Sequence, residues 1–217
     1  MFIKRLLIPA AAVMLSLFVL PHAVSASTTF NFLGTNNGTL PVINQTIGGI
    51  SLTVTPQFSI DPASTLSPTW YNFAGQAGRG IYDGSTGLGV KSYDGDNSDL
   101  DGSRLLESLV FTFDRTVTLT SIFFGSMGSN DDFNLDVGGA NVLRDVAPNP
   151  SGSSALRNSA FLLSGYTGSV FRIWADASSD DFRVGNVVVQ PVPEPTTWLM
   201  MLLGLFLMTG IMRHRRS

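Results

Sequence analysis

Short runs in which apolar and polar residues alternate are the feature that most limits the fold of this 217-residue chain. Successive side chains of a β-strand point to opposite faces, so a period of two indicates a strand with one buried face. β-branched and aromatic residues fill these runs, as is typical of strands. The seven clearest runs cover residues 29–33, 50–55, 109–113, 117–123, 133–137, 170–174 and 182–189.

The region between the two chain ends predicts an all-β fold, because it shows no helical periodicity of useful length. Weaker strands are expected near residues 39–43, 88–93 and 160–164, and the link 114–116 is expected to form a tight hairpin. This number of short strands predicts an antiparallel β-sandwich, with a jelly roll as the preferred version.

The N-terminus predicts a secretory signal peptide over residues 1–26. Lys4 and Arg5 supply the positive charge, an apolar stretch follows from Leu6 to Leu20, and the small residues before position 27 suit cleavage after Ala26. The alternative is an uncleaved signal anchor, which would export the same domain.

The C-terminus combines three parts in a fixed order: Pro193-Glu194-Pro195, the apolar stretch 196–212, and a basic end. The prolines disfavour a helix that begins before Thr196. The apolar stretch has 17 residues, at the short end of the roughly 17–25 that cross a bilayer as a helix. By the positive-inside rule the basic end stops transfer and places the upstream domain on the other side of the membrane. Its arginines are Arg213, Arg215 and Arg216.

This tail resembles the PEP-CTERM sorting signal of Gram-negative bacteria, which is also labelled the ice-binding protein C-terminal domain. The resemblance implies that the membrane enzyme exosortase recognises the tail and removes it near Pro193-Glu194-Pro195. The label by itself does not indicate that the chain binds ice.

The organisation expected from the two ends is a signal peptide at 1–26, an exported β domain at 27–191 and the sorting signal at 192–217. Signal peptidase and exosortase would be the processing partners. The domain would face the periplasm while the tail is anchored in the inner membrane, and would then reach the cell surface or the exopolysaccharide matrix. The alternative is a permanent single-pass anchor.

Charge and composition narrow the function of the exported domain. It carries eight basic and fifteen acidic side chains, a net charge of −7, which disfavours nucleic acid and makes divalent cations plausible partners. It contains no cysteine or histidine and one glutamate, Glu107. Nucleophilic triads and the usual zinc sites are therefore excluded, and we expect no catalytic activity.

The glycine-rich segment 61–104 is too long for a plain turn and contains the predicted metal site. The spacing Asn97-x-Asp99-x-Asp101 begins like a calcium-binding loop, but Ser108 stands where an EF-hand has glutamate. We therefore predict a calcium site of a β domain, with a solvated acidic loop as the alternative. The candidate ligands are Asp94, Asp96, Asn97, Asp99, Asp101 and Glu107.

Two further sets of residues are candidates for binding a metal ion or a sugar. Acidic turns before two predicted strands hold Asp131, Asp132, Asp180 and Asp181, which serve local backbone bonding or act as reserve ligands if the turns converge. Aromatic rings that a sugar would stack on are Trp70, Tyr71, Tyr82 and Tyr93. The sequence thus predicts a structural or adhesive surface or matrix (biofilm) protein, with a calcium-assisted carbohydrate-binding module as the alternative.

Overall fold

The structure, a computed structural model, describes residues 26–61, 67–73, 76–147 and 160–192. All regular secondary structure in these ranges is β, and none of their residues forms a helix suited to crossing a membrane. The predicted signal peptide, except Ala26, and the predicted sorting signal beyond Val192 lie outside the described residues.

Thirteen strands are present in the described ranges. They are β1 (Thr28–Asn31), β2 (Gly38–Leu40), β3 (Ile43–Ile47), β4 (Ile50–Ser59), β5 (Tyr71–Asn72), β6 (Gly80–Gly84), β7 (Gly87–Lys91), β8 (Leu100–Asp101), β9 (Leu106–Ser126), β10 (Phe133–Val137), β11 (Ala140–Val146), β12 (Phe161–Ala175) and β13 (Asp181–Pro191).

Strand β9 lies at the centre of the sheet and pairs with three other strands. β12 pairs along one of its edges, while on the other edge β4 pairs with its first half and β13 with its second half. All of these pairings are antiparallel. The main path through the sheet runs β11-β10-β12-β9-β13-β7-β6-β2, and the remaining strands branch from it.

The predicted hairpin at residues 114–116 is wrong, because β9 continues through it as one strand of 21 residues. Pairing with β4 ends at Phe113, and pairing with β13 begins at Val117. The polar residues between them are exposed because they cross the gap between two successive edge partners. An exposed polar link therefore marks a change of neighbour rather than a reversal of the chain.

Strand β1 and the residue that follows it pack against the first half of β9 in the hydrophobic core. Phe30 of β1 lies 5.6 Å from Phe113 of β9, and Phe32 lies 6.1 Å from Phe111, measured between ring centroids. The predicted all-β antiparallel class is confirmed. The strands form one hydrogen-bonded sheet that encloses its own core, so the predicted division into a jelly-roll sandwich is not confirmed.

The glycine-rich segment 61–104 contains four strands, β5 to β8, of which only β7 was predicted, as the weaker strand near 88–93. Its central part is the hairpin of β6 and β7, whose strands begin or end in glycine at residues 80, 84 and 87. Glycine has a low strand propensity, which is why the sequence pattern did not reveal β6. The short and exposed strand β11 was missed for lack of an apolar alternation.

Candidate functional site

Three of the predicted metal ligands come together at one end of the sheet. Asp96, Asp101 and Glu107 each offer a carboxylate oxygen, and these oxygens all lie within 4.8 Å of one another. Glu107 is the second residue of β9, Asp101 ends β8, and Asp96 lies in the connection between β7 and β8. We call this set the carboxylate group.

Backbone donors hold the three side chains in place. The backbone N–H of Asp101 donates to Oε2 of Glu107 at 3.2 Å. Asp96 accepts from the backbone N–H of Ser92 at 2.6 Å through one oxygen and from the N–H of Ser98 at 3.1 Å through the other. The connection between β7 and β8 is therefore folded tightly around Asp96.

Gly89 explains why this connection can lie flat on β7. A Cβ atom at Gly89 would stand 2.1 Å from the carbonyl oxygen of Ser98, far inside contact distance. Next to it, the N–H of Val90 donates to the carbonyl oxygen of Asp99 at 3.2 Å. The absence of a side chain at position 89 therefore brings the acidic connection against the sheet.

Glu107 is the most unusual member of the carboxylate group. Its side chain is 0% exposed, and no described residue donates a hydrogen bond to Oε1. Burial, followed by the negative charge of Asp96, raises the pKa of Glu107 well above its usual range. Burial likewise raises the pKa of Asp101. Three adjacent carboxyl groups in this setting need either protons or a cation to offset their repulsion.

The other three predicted ligands lie outside the carboxylate group. Asp99 forms an ion pair with Arg183 of β13. Asn97 is exposed, and its Oδ1 accepts the backbone N–H of Asp99 at 3.2 Å, as in an ordinary turn. Asp94 is exposed at the tip of the connection.

The two acidic turns converge in space, as the reserve ligand set requires. The N–H of Asp132 donates to Asp180 at 3.4 Å, and Asn130 donates to the carbonyl of Ser179 at 2.8 Å. Burial raises the pKa of Asp180 to about 6, and the charge of Asp132 adds to this.

A second set of three carboxylates lies beside these turns, and a positively charged arginine side chain already lies next to it. Asp132, Asp145 and Asp176 offer oxygens within 4.8 Å of one another. Arg144 lies 3.6 Å from Asp176 and 3.5 Å from Asp145. Asp145 and Asp176 were not among the predicted ligands, because neither adjoins another acidic residue in the sequence. Only the strand pairing places them together.

The predicted stacking rings are mostly covered on one face. Guanidinium groups lie over three of them: Arg172 is 4.8 Å from Trp70, Arg183 is 4.9 Å from Tyr82 and Arg104 is 4.6 Å from Tyr93. Tyr71 is 44% exposed and packs on Phe58. A sugar would compete with an arginine for the covered faces.

A groove of about 770 Å³ lies over the outer face of β4 and β9. Its polar lining includes Gln57, Asn72, Gln76 and Arg79. The Nε2 group of Gln57 donates to Asn72 at 3.0 Å, and Arg172 donates to Oε1 of Gln57 at 2.9 Å. The groove was not predicted, because its one signal in the sequence is the polar residue at each outward position of β4, from Ser51 to Gln57.

The hydrogen bonds that link Asn72, Gln57 and Arg172 continue beyond the groove to side chains of other strands. Arg172 also donates to Asp136 of β10 at 3.0 Å, and the other oxygen of Asp136 accepts the indole N–H of Trp174 at 3.1 Å. The groove is therefore backed by side chains that are fixed by hydrogen bonds on four strands, β4, β5, β10 and β12.

The described residues thus define an all-β antiparallel domain with the carboxylate group at one end of the sheet and a polar groove over β4 and β9. Residues 191–216 match the family model of the PEP-CTERM protein-sorting motif. This confirms the resemblance drawn from Pro193-Glu194-Pro195 and the basic end, and it indicates an exported, cell-surface-directed protein that exosortase processes. No curated protein and no solved structure matches the chain.

Proposed function

We propose that this protein is a non-catalytic structural or adhesive component of the cell surface or of the exopolysaccharide matrix. The observation that carries the proposal is the sorting motif at residues 191–216, which follows directly after an antiparallel β domain. Signal peptidase would cleave after Ala26, the tail would hold the domain in the inner membrane for a time, and exosortase would then release it.

The chemistry of the domain supports a role without catalysis. Residues 27–191 contain no histidine or cysteine, so the common nucleophile and zinc systems have no side chains to use. The buried carboxylates of the carboxylate group do not line the groove, so an acid and a base are not placed beside a bound molecule there.

The sorting step is tested in the native host by replacing Pro193-Glu194-Pro195 with three alanines. We expect export to continue but the protein to stay in the membrane fraction, whereas the wild type reaches the surface or the medium. Replacing Thr196 and Thr197 by alanine is the matched control, because it changes adjacent residues but keeps Pro193-Glu194-Pro195. Normal release of the triple-alanine variant would overturn the proposal.

A second candidate is a calcium-assisted carbohydrate-binding module, and the groove favours it. Amide side chains and arginine, with Pro41, Pro56 and Phe73 beside them, provide both hydrogen bonds and apolar contact for a sugar ring. We expect the exported protein to bind a soluble polysaccharide of the host matrix. Gln57→Ala should weaken this binding at least about tenfold, while Gln190→Ala, at an exposed site outside the groove, should not. Equal binding by both variants would exclude the groove.

A further inference from the structure

We infer that Asp96, Asp101 and Glu107 bind one calcium ion, which fastens the connection between β7 and β9 to the sheet. This inference goes beyond the matrix role, and it stands whether or not the groove binds a sugar. The first support is the geometry of the carboxylate group. Calcium–oxygen distances are about 2.3–2.6 Å, so oxygens on opposite sides of one ion are about 5 Å apart. The carboxylate oxygens lie within 4.8 Å of one another and therefore fit around a single ion.

A second and independent observation is the free oxygen of Glu107. Its side chain is fully buried, and Oε2 is bonded to the backbone N–H of Asp101. Oε1 receives no hydrogen bond from the described residues, because the neighbouring Ser92 hydroxyl donates to Asp96 at 3.1 Å. A buried carboxylate oxygen without a donor is strongly disfavoured. A cation bound by the Glu107 carboxylate, which calcium can hold through one or both oxygens, would offset this buried negative charge.

Among the described residues, no arginine or lysine forms an ion pair with Asp96, Asp101 or Glu107. Arg183 pairs with Asp99, and the guanidinium of Arg104 lies 4.6 Å from the centre of the Tyr93 ring. The contrast is the set of Asp132, Asp145 and Asp176, which has Arg144 as its counter-ion. Carboxylate oxygens without nitrogen or sulfur ligands favour calcium over transition metals.

The position of the three ligands defines what the ion would do. Asp101 belongs to β8, which pairs with the start of β13, and Glu107 belongs to β9. An ion held by both residues and by Asp96 would tie the connection to two strands of the sheet. We therefore expect calcium to stabilise the fold of the domain rather than to take part in a reaction.

The experiment measures the melting temperature of the full-length chain in detergent, in 10 mM calcium chloride and in chelator. Exported modules bind calcium with Kd of about 10⁻⁴–10⁻³ M, so the expected rise is about 3 to 10 °C. Sodium chloride of equal ionic strength is the control for charge screening. A rise of the same size in sodium chloride, or no rise in calcium, would overturn the inference.

Variants identify the ligands. Glu107→Gln keeps the shape of the side chain, so it should melt at or above the wild-type temperature in chelator and lose the calcium response. A merely structural Glu107 would instead lower the melting temperature in both conditions. Asp96→Asn, at the less buried ligand, is the second variant if Glu107→Gln does not fold. Asp94→Asn is the matched control in the same connection and should respond like the wild type.

Terbium luminescence provides a readout that does not depend on unfolding. The backbone N–H of Asp96 donates to the carbonyl oxygen of Tyr93 at 3.4 Å, so Tyr93 adjoins the carboxylate group and its ring can sensitise terbium bound there. We expect emission that calcium displaces, that falls at least about tenfold in Glu107→Gln and that persists in Asp94→Asn. Emission that calcium does not displace, or that Glu107→Gln leaves unchanged, would contradict the site. Neither measurement depends on sorting, so failure here is distinguishable from failure of the matrix proposal.

Discussion

Arg183 of β13 forms an ion pair with Asp99 and at the same time lays its guanidinium 4.9 Å from the centre of the Tyr82 ring. The pair joins the connection before β8 to the strand that β8 pairs with. It also explains why Asp99, although central to the predicted calcium spacing, takes no part in the carboxylate group. The guanidinium of Arg183 neutralises the Asp99 carboxylate. Asp96 and Asp101 therefore remain available to bind another cation.

Removing this arginine should destabilise the domain. The side chains of Arg183 and Asp99 are only 18% and 17% exposed, so Arg183→Gln leaves a largely buried carboxylate without its partner. We expect the free energy of unfolding to fall by about 1–3 kcal/mol, as measured by urea denaturation. The control is Arg115→Gln, whose pair with Asp114 is 48% and 36% exposed and is weakened by solvent, so its removal should cost clearly less than that of Arg183. Equal losses in both variants would contradict this account.

Gly89 should tolerate no side chain. Gly89→Ala forces a Cβ atom to within 2.1 Å of the Ser98 carbonyl oxygen, so the acidic connection must move away from β7. We expect a loss of about 1–3 kcal/mol in urea denaturation and a smaller rise of melting temperature in calcium. Gly139→Ala is the control: its φ of +88° is unfavourable for alanine, but the site is open, so only the backbone cost of about 1–2 kcal/mol applies. That variant should keep the full calcium response.

Asp180 should make the domain more stable at mildly acidic pH. Its pKa is raised to about 6 in the folded state, mainly by burial, from an ordinary value of 3.8. Between these values the folded chain binds more protons than the unfolded chain, so this group adds stability as the pH falls from 7 to 5. The charged form is the less favourable one mainly because Asp180 is buried, and the negative charge of Asp132 adds to this.

The measurement is the free energy of unfolding at pH 5 and pH 7 in wild type and in Asp180→Asn. The gain on acidification should be smaller in the variant, because asparagine does not titrate. Asp94→Asn, at an exposed aspartate, should keep the wild-type difference. An unchanged pH dependence in Asp180→Asn would show that Asp180 ionises normally in the folded state.

The processed end of the chain should identify the sorting route. The match at residues 191–216 predicts that protein recovered from the surface or matrix of the native host ends near Pro193 to Pro195. Mass spectrometry of the C-terminal peptide measures this directly. An intact end at Ser217 would instead indicate a permanent membrane anchor.

The sequence by itself determined the features that are written in consecutive residues. Alternation with a period of two shows strands such as β4, which begins at Ile50 like the predicted run 50–55 and buries every second residue along that run, because successive side chains of a strand point to opposite faces. The sorting motif is likewise a linear pattern. The candidate ligand pool was also visible, since acidic residues crowd between positions 94 and 107.

Only the tertiary structure decided which of those residues meet. Asp99 pairs with Arg183, which is 84 positions away in the chain, and Gln57 bonds to Arg172, which is 115 positions away. Such contacts depend on which strands become neighbours in the sheet, and the local pattern is the same for many strand orders. The continuity of β9, the free oxygen of Glu107 and the groove over β4 all follow from that strand pairing. A period of two could show that strands exist, but not where each strand lies.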